Sequence, residues 1–124
     1  MIKQILLVGF GGGLGSIFRY LTSVWTAKYY QDHFPLATFI VNIVGCLLIG
    51  LLIGFFGQNM SNQQNLKLLW LTGFCGGYTT FSAFAAENIA LYQGHQYITL
   101  ICYILASVIV GLAAVAIGIA LVKI

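Results

Sequence analysis

Four long apolar stretches alternate with short polar ones along this chain, and that alternation predicts its elements. The apolar stretches run from about Gln4 to Ala27, Leu36 to Gly57, Leu66 to Tyr92 and Tyr97 to Val122. Each can form a helix of the ~20 residues that cross a hydrocarbon core. The connections Lys28–Pro35, Gln58–Asn65 and Gln93–Gln96 are polar. The pattern predicts an all-α membrane protein with four transmembrane helices. Tyr29 and Tyr30 suit the interfacial aromatic belt. His33 reads as a solvated loop residue, and His33 and His95 are expected in loops on opposite sides of the membrane.

The third stretch breaks the pattern from within. It carries Gly73-Phe-Cys-Gly-Gly-Tyr-Thr-Thr-Phe-Ser-Ala-Phe84, with three glycines and two threonines between Gly73 and Thr80. Glycine costs roughly 1 kcal/mol against alanine inside a helix, and threonine is mediocre there. The third helix is therefore expected to break in mid-membrane. Freed backbone groups at that depth need protein, an ion or a water-filled cavity as partners, so the break is a candidate site. Glu87 ends the apolar run and is expected near the end of the span.

Composition narrows the class. Of 124 residues, 60% are hydrophobic and 6% charged, against roughly 25% charged in soluble domains. Residues 1–124 are expected to form a single transmembrane domain. Met1–Phe18 has an apolar run, but no small-x-small site closes it and Arg19 follows directly, so it is expected to be a retained span. Cys46, Cys75 and Cys102 lie far apart in apolar segments and read as reduced packing residues. The net charge of +3 comes from scattered residues, which gives no support to a nucleic-acid partner. No spaced His/Cys cluster, carboxylate pair or nucleophile-base arrangement points to an enzyme.

Within the apolar segments the polar and small positions are few enough to weigh singly. Gly9/Gly13, Gly11/Gly15 and Gly12/Ser16 are spaced for close helix approach. A phosphate-binding Gly-x-Gly-x-x-Gly register fails at Leu14 and Ser16. Arg19 is either a helix-end anchor or a source of positive potential for an anion-admitting vestibule. Thr38 and Asn42 share a helix face, and Asn42 can bond a neighbouring helix. Phe81 and Phe84 lie one turn apart. Tyr103, Ser107 and Gly111 form a stripe that can join helices or donate hydrogen bonds to a solute.

Counting crossings puts Lys3, Lys67 and Lys123 at one side and Lys28 at the other, with Arg19 nearby. So slight a positive-inside bias leaves orientation open, and copies inserted both ways can pair antiparallel about a two-fold axis in the membrane plane.

Three motifs at these intervals, Gly73 to Phe84, Gly11-Gly-Gly-Leu-Gly-Ser-Ile-Phe-Arg19-Tyr and Thr38-Phe-Ile-Val-Asn42-Ile-Val-Gly45, carry a resemblance over the whole chain to the Fluc/CrcB fluoride channel family. Ala83 departs from the Thr common at that position. The resemblance implies a dual-topology antiparallel homodimer of four-span subunits in the bacterial plasma (inner) membrane, with two pores passing fluoride passively. It implies a structural sodium ion at the dimer interface, held by the backbone carbonyls of Gly76 and Thr79. It assigns Phe81 and Phe84 to the pore wall, Asn42 beside it, and Ser82, Tyr103 and Ser107 to polar positions on the route, with Thr38 and Arg19 as further candidates. Two other readings stay open. A small dual-topology proton-coupled drug exporter needs a membrane-embedded carboxylate, and Glu87 is the single Glu. A non-transporting assembly subunit would use the glycine faces only to bind other helices.

Overall fold

A computed structural model describes residues 1–57 and 63–123. The expected linker from Gln58 falls mostly outside them. Helix α1 spans Ile2–Tyr29 and α2 Leu36–Phe56. The third segment begins as α3, Gln64–Lys67, widens into a π-helical stretch, Leu68–Cys75, and closes as a last turn, α4, Gly76–Tyr78. Thr79 and Thr80 are extended, and α5, Phe81–Gln93, follows. Helix α6 spans Tyr97–Lys123. Among the described residues all regular structure is helical, and α1, α2 and α6 are long and apolar enough to cross a membrane.

The chain does break inside the Gly73 to Phe84 stretch, but at the threonines and not at the glycines. Thr79 sits at φ −85°, ψ 158° and Thr80 at φ −150°, ψ 118°, which are extended values that β-branched residues adopt readily. Gly73, Gly76 and Gly77 remain helical. What they contribute is a missing side chain. A Cβ on Gly73 would stand 2.9 Å from the Val8 carbonyl oxygen, and one on Gly77 would overlap the Gly12 carbonyl. From α1, a Cβ on Gly15 would strike the Phe74 carbonyl and come within 2.8 Å of the Tyr78 nitrogen. The glycines of α1 and of the third segment thus press two backbones together. Gly9 and Gly13 take no part, since a Cβ on either would meet no neighbouring element within 4 Å.

A second pair, α2 with α6, makes a comparably extensive contact. It is closed the same way: a Cβ on Gly118 would stand 2.6 Å from the Leu47 carbonyl oxygen and 2.7 Å from the Leu51 nitrogen. Helix α5 packs on α2 and α6, so the break sits where the two helix pairs meet. Large apolar side chains cover the outer faces, among them Phe10 and Ile17 on α1 and Ile101, Ile109 and Leu112 on α6. Lipid is the solvent such a surface requires.

The first and third connections lie at the same end of the molecule. His33 and Pro35 share a cavity wall with Gly94 and Gln96. The expectation that His33 and His95 sit on opposite sides is therefore wrong: a chain that crosses out, back and out again returns its third connection to the side of its first.

Candidate functional site

In a continuous helix each N–H bonds the carbonyl four residues back. At the break those donors are diverted. The Thr80 N–H, which would have reached Gly76, goes to Asn42 Oδ1 at 2.8 Å. The Ala83 N–H, which would have reached Thr79, goes to Thr80 Oγ1 at 3.2 Å, the N-cap of α5. The Gly76 and Thr79 carbonyls thereby lose their helical partners. Gly76 is exposed on the surface of the single chain. The Gly77 carbonyl accepts from Arg19 Nε at 3.1 Å.

Asn42 holds the break from the side of α2. Its Oδ1 takes the Thr80 N–H and its Nδ2 donates to the Thr80 carbonyl at 3.1 Å. An amide nitrogen has two hydrogens, so one N–H remains. Asn42 also lines a cavity of about 300 Å³ with Cys46, Ile49, Thr79, Thr80, Phe81, Phe84, Ser107 and Val108. The Phe81 and Phe84 ring centres are 5.8 Å apart, and Phe84 lies 5.0 Å from Tyr103. Ser107 Oγ is buried without a partner. The N-terminus of α5, a helix of 13 residues, opens on the same space, and its free N–H groups and dipole favour negative charge. Two aromatic rings, an uncommitted hydroxyl, a spare amide N–H and a helix N-terminus thus share one uncharged cavity.

A second cavity, about 380 Å³, lies between α1, α2 and α5, with Ser16, Arg19, Ser23, Thr38, Thr80 and Glu87 among its lining residues. Arg19 stands in the body of α1 and not at its end, so it is no helix-end anchor. Its charge faces the carbonyl end of the broken helix, where the dipole favours a cation. Glu87 stands midway along α5. It is half-buried within α5 and accepts from Thr38 Oγ1 at 2.6 Å and Tyr103 Oη at 2.8 Å.

Most of the expected residues therefore converge. Asn42, Phe81, Phe84 and Ser107 form one cavity, Arg19 and Thr38 line the other, and Tyr103 joins them by packing on Phe84 and bonding Glu87. Ser82 lines neither; it is exposed, with its Oγ 3.4 Å from Thr80 Oγ1. Glu87 is the residue that sequence reasoning passed over. Its signal was an acid three residues beyond Phe84, on the same helix face.

The family model for CrcB-like protein, Camphor Resistance (CrcB), matches residues 6–119. The chain belongs to the CrcB-like family. Among its relatives, a protein of Azobacteroides pseudotrichonymphae named fluoride-specific ion channel FluC is 48% identical over 95% of this chain and 94% of its own. One of the same name from Flavobacterium psychrophilum is 48% identical over 98% of each. A third, from Ignicoccus hospitalis, is 44% identical over 94% of this chain and 93% of its own. Membership of this family, with several helices long enough to cross a bilayer, makes the chain a multi-pass membrane protein.

Proposed function

We propose that this CrcB-like chain is the subunit of a fluoride-selective channel in the plasma membrane, through which cytoplasmic fluoride leaves down its electrochemical gradient. The observation that carries the reading is the uncharged cavity of Asn42, Phe81, Phe84 and Ser107, whose spare donors suit a small anion, in a chain whose relatives are named fluoride-specific channels. Fluoride is small and strongly hydrated, so entry needs close donors to replace water. The amide, the hydroxyl and the α5 N-terminus supply them. Aromatic rings add positive edges without a full charge, which keeps binding weak enough for release.

In this reading the two halves of the third segment complete a fourth span, and two copies pair antiparallel to give two pores. The exposed Gly76 and Phe81, the latter 78% accessible, support a second copy seated at the break. The residues at the break also fit a sodium ion, because Gly76 and Thr79 present carbonyls whose helical donors are taken by Asn42 and Thr80. Sodium there would neutralise the electronegative ends of two broken helices. Reconstitution with sodium replaced by a larger alkali cation is expected to lower dimer stability or flux, and indifference to cation identity removes the ion site.

The exporter reading needs a membrane-embedded carboxylate free to carry a proton. Glu87 is half-buried within α5, but two hydroxyls occupy it and the family relatives are named channels. The test of the channel reading is purified protein in liposomes with an ion-selective electrode. Fluoride release with chloride retained is expected; no fluoride release from folded protein overturns it.

A further inference from the structure

A third cavity, about 320 Å³, opens at the loop end of the molecule and has His33, Gln96 and Glu87 in its wall. Glu87 is also in the wall of the Arg19 cavity, so this space leads from the surface to the carboxylate that holds Thr38 and Tyr103. The turn that closes it is tightly specified. His95 takes φ 59°, the Gln96 N–H returns to the Leu91 carbonyl at 2.9 Å, and His95 Nδ1 pairs with the Tyr97 hydroxyl at 2.9 Å. These bonds fix Gln96 at the rim and occupy one ring nitrogen of His95. Across the opening, the His33 N–H donates to Asp32 Oδ1 at 2.7 Å.

An anion entering from this end approaches a carboxylate, and repulsion is the first thing it meets. Of the residues lining the cavity, His33 alone can become cationic, while Gln96 adds a neutral amide donor. We infer that this cavity is the outer mouth of the fluoride route and that His33 is a positioning residue whose imidazolium offsets Glu87 for an entering anion. The inference rests on the channel reading above. The other titratable groups at this end are Lys28, Tyr29, Tyr30 and Asp32 on the first connection, Tyr92 on α5, His95 and Tyr97 beyond it, and Tyr103 of α6, bonded to Glu87.

A protonated imidazole at the mouth favours an entering anion and a neutral one does not, so acid pH is the condition that exposes the role. The experiment is fluoride efflux from liposomes at pH 5.5 and 7.5, corrected for protein-free vesicles, with dimer recovery checked by size exclusion. Wild-type flux is expected to be about two- to fivefold faster at pH 5.5, the range of one partly solvated charge interaction, and the ratio to shrink in high concentrations of an impermeant salt. His33→Gln is expected to level the two rates at the slower value, and His33→Arg to level them at the faster one. A His33→Gln protein that keeps the wild-type ratio, or a His33→Arg protein no faster than His33→Gln, overturns the inference while leaving the channel reading in place. Absence of flux in the wild type overturns both.

Discussion

On one side of the contact between α2 and α5 lies a cavity with Arg19 and Glu87 in its wall; on the other lies one with Asn42, Ser107 and two phenylalanines and no charged side chain. In the first, the charged groups are bound to the protein itself. Arg19 holds the Gly77 carbonyl and Glu87 holds two hydroxyls. In the second, the partial charges are left over: Ser107 Oγ has no partner and Asn42 keeps one N–H. The difference teaches where a channel can place full charge. A bare charge in a low-dielectric wall attracts a counter-ion too strongly to let it go; in the proposed channel the charges set the architecture and the dipoles remain for the ion.

The contrast can be broken most severely at Asn42, which belongs to both jobs. Asn42→Ala leaves the Thr80 N–H and carbonyl without partners, at about 1–3 kcal/mol each. Fluoride flux is expected to fall by about 10- to 100-fold and thermal stability to drop with it; a variant as stable and active as wild type would show that the break does not depend on α2. Next come the rings. Phe81→Ile and Phe84→Ile remove aromatic edges while keeping most of the bulk, and each is expected to cut flux about tenfold with the proposed dimer intact by size exclusion. Wild-type flux in both would mean that the uncharged cavity works by shape alone. The smallest effect is expected on the charged side, where Glu87→Gln preserves an acceptor for one hydroxyl and removes the charge. Flux should stay within about threefold of wild type, and a loss as large as that of Asn42→Ala would place the carboxylate among the groups the ion needs.

The helices were legible in the sequence because hydropathy over twenty residues is a strong signal, and α2 and α6 begin where the pattern puts them. The break was legible only as a region. Propensity treats glycine as the weak link, whereas Gly73 and Gly77 are there so that α1 can approach, and the chain opens at the following threonines. Glu87 was misjudged for a related reason: a hydropathy profile takes a lone acid as the end of a span, and its partners Thr38 and Tyr103 lie on other helices. The use of both faces of the Asn42 amide by one residue, Thr80, could not be read from spacing at all.

Thr80 is the residue that the charged and uncharged cavities have in common. Its N–H and carbonyl are clamped by Asn42, and its hydroxyl caps α5. The partition at that point is a single extended residue thick, held by three hydrogen bonds and not by packed bulk. In the proposed channel, selectivity would be guarded less by the width of a tunnel than by the strength of one latch, because loosening Thr80 joins the two cavities it lines.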